Sequence, residues 1–412
     1  MTILVTRTPD RTAAPAPVTS LVPAGTSRTS VTSVPETRRD EYCPFPLSTD
    51  ARAFGLTTSS MRLGSGTLAV RHGRRTGSDT ATVLLHGAAG SWTTWTPLLS
   101  AATNGGSAGS TGRVPSGALA LTDLIIPDLP GWGDSEPADA SGRHSTRPAP
   151  GITTVAAAIA ETVRALGYER WHVVGHSLGG FLALELAALE PAATVSVSLV
   201  SATTFSVVDS VRHPITRFTL LPGYTALLGV MRALAVAEPA GRGLVRWLNR
   251  VGVLRGLTAP LFSRVDAVPA SVISALATEV RPRAFVEASA LAGAHDPERS
   301  WARITCPVRA IQGDADIFVA DSDRARLSAV IPGFVSRTIA GTGHFAHIEK
   351  PFAALEALSS LRESTLSAPK PMVQGPKVYS RGPAGRSGDV NDQLCGMPIV
   401  RPPSMTNSAP VE

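Results

Sequence analysis

The chain has 412 residues, 43% of them hydrophobic and 17% charged, enough for a sizeable core plus an inserted subdomain and unlike a disordered or fibrous composition. Its formal net charge of +6 is concentrated between Arg212 and Arg264, where eight arginines face one acid, Glu238, without the aromatic-interleaved motifs of a nucleic-acid binder. Cys43, Cys306 and Cys395 are too widely spaced for a disulfide framework or metal set, and no apolar run approaches membrane-spanning length, so a cytoplasmic protein with no integral membrane segment is expected.

Residues 1–50 are crowded with Thr, Ser, Pro and Arg without periodicity, and residues 366–412 resemble them; both ends read as disordered tails. Between them, short apolar runs alternate with helical patterns. The runs predict strands over Thr80–Leu85, Leu119–Ile126, Trp171–Val174, Val195–Val200, Val308–Gln312 and Phe334–Ile339. Helical spacing covers Trp92–Ala102, Thr153–Leu166, Leu178–Leu189 and Phe352–Leu361, while the Gly- and Ser-rich stretch Asn104–Gly117 reads as a surface loop. Such alternation predicts an α/β fold with a mostly parallel central sheet flanked by helices.

From Phe205 to Leu291 the alternation stops and only helical patterns remain. Tyr224, Leu227, Leu228 and Met231 share one face, as do Leu244, Trp247, Leu248 and Val251, with Arg242, Arg246 and Arg250 on the opposite, solvated side. The expected organisation is a core over 51–205, a helical cap over 206–291, and a second part of the core over 292–365.

Four motifs carry chemistry. Trp171 to Gly180 runs as a strand into Gly175-His176-Ser177-Leu178-Gly179, a sharp turn that exposes a serine hydroxyl between glycines where neighbouring backbone comes close. The pentapeptide alone is modest evidence, but its strand-then-helix context is the one its mechanics need. Leu85-His86-Gly87-Ala88 ends a buried strand in a loop whose Ala88 N–H could join that of Leu178 as an oxyanion hole. A late strand ends in Gly313-Asp314-Ala315-Asp316, where either carboxylate could orient a base, Asp314 having the alternative of stabilising the turn. Gly341-Thr342-Gly343-His344-Phe345-Ala346-His347 offers two imidazoles; His344 is preferred because its flanking glycine suits a loop leaving the strand, whereas His347 could simply bond backbone. His86, Gly87, His176 and Trp132 lie close enough to these motifs to hold the loops or touch substrate.

With these words in order, residues 51 to 365 resemble the α/β-hydrolase family. The matching segments are His86-Gly87, Asp128-Leu129-Pro130-Gly131-Trp132-Gly133-Asp134-Ser135, Gly175 to Gly180, Ile304 to Val308 leading to Gly313 and Asp316, and Gly343-His344. The resemblance implies Ser177 as nucleophile, His344 as base and then acid, Asp316 as the carboxylate that orients it, and the helical block as a cap over the pocket. It needs no cofactor and implies cleavage of a carboxylic ester or related acyl bond in a small hydrophobic molecule. Two alternatives stand beside it: a carbon–carbon bond hydrolase of a ring-cleavage product, which would want a basic residue in the pocket, and a catalytically silent binding protein on the same fold.

Overall fold

The computed structural model describes Arg38 and residues 40–63, 66–105, 121–136, 151–213 and 217–366. The tail after residue 366 and nearly all of the Gly/Ser-rich loop lie outside these residues. Eight strands in one sheet organise the rest: β1 (Leu56–Leu63), β2 (Gly66–Gly73), β3 (Thr80–Leu85), β4 (Leu124–Pro127), β5 (Arg170–His176), β6 (Thr194–Val200), β7 (Val308–Gly313) and β8 (Val335–Ile339). Their spatial order is β1-β2-β4-β3-β5-β6-β7-β8. The β1/β2 and β2/β4 pairs are antiparallel and every pair from β4 onward is parallel.

Period-2 side-chain alternation splits the core between the two faces of this sheet. Val83, Leu85, Ile125, Val173 and Leu199 point to one face and pack with α2 (Ile152–Ala165) and α3 (Leu178–Leu189). Leu84, Leu124, Ile126, Val174 and Val200 point to the other, beneath α1 (Thr96–Gly105) and α14 (Pro351–Leu366). Strands buried on both faces are near-continuous apolar runs, which is why β3, β5 and β6 are legible in sequence. Helix α3 is apolar but for Glu185, which accepts from Thr153 and Ser300, and is almost wholly buried, as suits a helix directly behind a central strand.

The chain runs from β3 outward to β4, then returns to the other side of β3 for β5. This reversal creates a switch point between β3 and β5, where the loops at the carboxyl ends of adjacent strands diverge and leave a crevice.

Between β6 and β7 the chain forms α4 (Phe205–Arg212), α5 (Arg217–Leu220), α6 (Pro222–Val236), α7 (Glu238–Arg250), α8 (Val253–Leu257), α9 (Ala270–Glu279), α10 (Pro282–Ala294) and α11 (Pro297–Trp301). Helices α6, α7, α10 and α11 each carry proline in the first turn, where the missing N–H costs nothing and the fixed φ suits a helix start. Two short helices complete the set, α12 (Asp321–Val330) before β8 and α13 (Ala346–Glu349) after it.

Several expectations need correction. Residues 42–48 are no part of a loose tail: the Cys43 N–H donates to the Glu349 carbonyl at 2.7 Å, the Leu47 N–H to Ser271 Oγ at 3.1 Å, and Phe45 lies against Phe352 with ring centroids 5.6 Å apart. Tyr42, Cys43, Phe45 and Leu47 are apolar residues following a polar stretch, and their packing is what anchors the segment. The helix expected from Trp92 opens as a 3₁₀ turn over Trp92–Trp95 and becomes α-helical at Thr96, next to Pro97. Of the strand expected over Leu119–Ile126, residues 119 and 120 lie outside the described residues, and among 121–126 it is regular only from Leu124. The stripe Leu244, Trp247, Leu248 and Val251 does not face inward as a unit, since Leu244, Trp247 and Val251 are 48%, 55% and 50% exposed.

Candidate active site

Ser177 stands at the end of β5, immediately before α3, with φ 51° and ψ −118°. A non-glycine residue with positive φ is strained, and strain of this kind persists only where surrounding structure enforces it. Here the enforcement is visible. The Ser177 N–H donates to the Val200 carbonyl at 3.1 Å, and its own carbonyl accepts from the N–H groups of Gly180 at 2.9 Å and Phe181 at 3.3 Å. The turn is so tight that a Cβ on Gly175 would run into the Gly179 carbonyl, and one on Gly179 into the Leu85 carbonyl.

His344 lies on the loop after β8, its Nδ1 3.0 Å from Asp316 Oδ1 and 3.1 Å from Oδ2. The Asp316 side chain is fully buried, and Oδ1 also accepts from the Phe318 N–H at 2.9 Å. An anion so held fixes the proton on Nδ1 and leaves Nε2 free to accept another. Asp314 does something different. It is exposed, and its Oδ1 accepts from the N–H groups of Gly341 at 2.8 Å and Thr342 at 3.2 Å, pinning the loop that carries His344.

Ser177 and His344 both line one cavity of about 510 Å³, as do Ala88 and Leu178. Neither the Ala88 nor the Leu178 backbone N–H has a hydrogen-bond partner among the described residues. Leu178 is the first residue of α3, where helix N–H groups are orphaned and the helix end is electropositive. The remaining wall is apolar, contributed mostly by α6 to α10, and no Asp, Glu, Lys or Arg among the described residues lines it. Three of its hydroxyls are engaged: Tyr224 donates to Ser289 Oγ at 2.8 Å, Ser289 to the Phe285 carbonyl at 2.8 Å, and Thr258 to the Leu254 carbonyl at 3.0 Å. Burial pushes the Tyr224 phenol up to about 12, so it stays neutral.

Four other residues expected near substrate do not line this cavity. His86 is buried beneath the loop after β3; its Nδ1–H donates to the Gly87 carbonyl at 2.8 Å and its Nε2 accepts the Leu129 N–H at 2.9 Å. Both nitrogens are used with the ring neutral, and burial holds its pKa below the ordinary value. His176 is buried behind His344 and donates from Nε2 to the His344 carbonyl at 3.0 Å. Gly87 packs directly on the turn, where a Cβ would strike the His176 ring and the Ser177 side chain, so only glycine fits. Trp132 is 4% exposed and belongs to the core beside α2. His347, the competing imidazole, is wholly buried between Trp95 and His176, with ring centroids 4.7 and 4.5 Å away. Contrary to expectation, neither of its nitrogens bonds backbone or any other described group. Burial first, then the neighbouring His344, lowers its pKa to about 3.

Sequence reasoning missed Glu349. This buried carboxylate accepts from Gly343 N–H at 2.8 Å and Phe345 N–H at 3.2 Å on Oε1, and from Tyr42 Oη–H and Ser263 N–H, both at 2.8 Å, on Oε2. The amides on both sides of His344 thus hang on one side chain. Burial nevertheless raises its pKa above the usual carboxylate value, the four donors offsetting only part of that. No motif marks it, since a glutamate closing a short helix is ordinarily a solvated residue.

Fold and site together define the class. The model of the α/β-hydrolase family matches residues 82–358, and the chain belongs to that family. No curated protein matches it in sequence. Among solved structures it is similar to the epoxide hydrolase CorEH, at 18% identity and TM-score 0.53 over 75% of this chain and 99% of that one. It is also similar to an esterase from Exiguobacterium antarcticum, at 15% identity and TM-score 0.51 over 76% and 98%. A bacterial membrane phospholipase A is likewise similar, at 19% identity and TM-score 0.51 over 77% and 89%. At such identities the likeness is one of fold.

Proposed function

We propose that the protein is a serine hydrolase that cleaves a carboxylic ester, or a related acyl bond, of a small hydrophobic molecule. The observation that carries this reading is a large apolar cavity, free of charged side chains among the described residues, that ends at a strained serine and a carboxylate-held imidazole. Ser177 Oγ attacks the carbonyl carbon while its proton passes to His344 Nε2; the Asp316 carboxylate, bonded to Nδ1–H, stabilises the imidazolium that forms. The N–H groups of Ala88 and Leu178 are the donors offered to the developing oxyanion. Collapse of the tetrahedral intermediate expels the alcohol, which takes the proton from His344, and water then releases the acid by the same route. The helical insertion acts as the cap that supplies the acyl-binding wall.

The carbon–carbon hydrolase alternative is weaker, because its substrate carboxylate would need a cation and no arginine or lysine among the described residues lines the cavity. A fluorophosphonate probe is expected to label the protein at Ser177, with labelling lost in Ser177→Ala. A panel of esters graded in acyl length should then turn over faster than a vinylogous diketone. A folded wild type that takes no label would instead favour a silent binding protein, and preferential turnover of the diketone would favour carbon–carbon cleavage.

A further inference from the structure

The helical insertion turns an apolar side to solvent. Ten large hydrophobic side chains are prominently exposed among the described residues, and eight of them lie between Leu220 and Leu257. Three of these, Val230, Leu244 and Leu257, also line the cavity that ends at Ser177, so the outer patch and the inner wall are one continuous apolar surface. At about 100° per residue, Leu244, Trp247 and Val251 fall along one strip of α7, and Arg246 and Arg250 along a second about a third of a turn round. They flank the Trp247 side of the exposed strip rather than standing opposite it as the full sequence pattern suggests. Both arginines are exposed, as is Arg232 on α6, and none of the three pairs with a carboxylate among the described residues. The sole acid of this region, Glu238, is engaged by Arg283 at 3.5 Å.

Clustered apolar exposure marks an interaction surface. Its charge selects the partner. A second copy meeting this face about a twofold axis would bring the same arginines against one another, which is repulsive. An anionic lipid surface supplies what both strips lack: hydrocarbon for Leu244, Trp247 and Val251, and phosphate for the guanidinium groups. We propose that this face of the insertion seats on an anionic lipid surface, with Trp247 entering the headgroup–acyl boundary and the apolar mouth of the cavity turned toward the lipid. The seating requires nothing of Ser177, so it stands or falls separately from the hydrolase reading.

Trp247 is also the built-in reporter, being 55% exposed while the other five tryptophans are at most 4% exposed. The experiment uses the full chain carrying Ser177→Ala, so that no turnover alters the lipid. Co-sedimentation is measured with vesicles of phosphatidylcholine alone and of phosphatidylcholine with phosphatidylglycerol, the acyl chains brominated to quench tryptophan. Expected are binding to the anionic vesicles only, weakening as salt rises, and quenching that disappears in Trp247→Phe. Arg246→Gln with Arg250→Gln, both surface changes, should lower vesicle affinity about thirtyfold. Absence of binding at low salt, or binding without Trp247 quenching, would overturn the proposal. So would failure of aqueous iodide to reach Trp247 before lipid is added, since that would mean a second copy or another part of the chain already covers the patch.

Discussion

Asp314 and Asp316 stand two residues apart and do opposite work, which makes them a sharp test of the proposed catalytic assignment. Asp316 is buried against His344 Nδ1, whereas Asp314 is exposed and holds the amides of Gly341 and Thr342. Asparagine at 316 presents a neutral amide to the imidazole and favours the wrong tautomer, so Asp316→Asn is expected to lower kcat on an ester by about 10⁴-fold with the fold intact. Asn at 314 still offers an acceptor oxygen, so Asp314→Asn should cost about 1 kcal/mol of stability and change kcat by less than about tenfold. Steady-state kinetics and thermal melts of the two variants check this, and equal losses in kcat would refute the division of labour. The pair was legible in sequence as two candidates at a strand end. Their spacing alone did not separate them, because that depends on which side chain turns inward from the loop; the family resemblance implied Asp316, with Asp314 left to the turn, and the contacts divide in the same way. The same limit applies to His86 and His176, which sit beside the reactive motifs in the chain yet are sealed in the core, both nitrogens of His86 committed to Gly87 and Leu129 and Nε2 of His176 to the His344 carbonyl.

Elements with continuous apolar runs were readable, and those whose burial is decided at a distance were not. β1 and β2 form an antiparallel edge pair, and β1, rich in Thr, Ser and Arg with mostly half-exposed positions, shows no core-strand signature. The segment around Tyr42 is the more consequential omission, since Glu349 joins it to Ser263 of the helical insertion and to the loop that bears His344. Removing one donor and removing the acceptor's charge should therefore differ. Tyr42→Phe deletes the donor to Glu349 and the acceptor of the Arg264 N–H, 2.9 Å away, and is expected to lower stability by about 1–2 kcal/mol while leaving ester turnover close to wild type. Glu349→Gln puts an amide N–H where two donors converge, leaving buried N–H groups without an acceptor at about 1–3 kcal/mol. Because Gly343 and Phe345 flank His344, that variant should also lose kcat. Melting temperatures and kcat for both, measured side by side, decide it; a Glu349→Gln protein with unaltered kcat would mean the His344 loop holds its place without this anchor.

At the scale of the whole molecule the order of the motifs along the chain mirrors their convergence at one end of the sheet, which is why fold class was legible where the shape of the cavity was not. That convergence has a cost in acid. His86, His176 and His347 are all buried with pKa values pulled below the ordinary imidazole, chiefly by burial, and for His347 to about 3. A histidine depressed in this way binds fewer protons folded than unfolded, so its share of stability is complete above the unfolded value of 6.5 and is lost as pH falls toward the folded one. The half-buried Glu279 and the buried Asp323 and Glu349 have carboxyl pKa values raised chiefly by desolvation and act in the opposite sense, their effect growing more destabilising as pH rises. The net slope therefore mixes both groups, but a difference between proteins isolates one ring. Between about pH 6.5 and 4.5 the wild type should lose about 1.4 kcal/mol per pH unit relative to His347→Asn, because only the wild type must release that proton on folding. The variant starts less stable at neutral pH, having lost packing against Trp95 and His176, and the gap narrows with acid. Urea unfolding at several pH values reads the difference directly, and parallel curves for the two proteins would show that His347 is not a buried neutral imidazole in the native state.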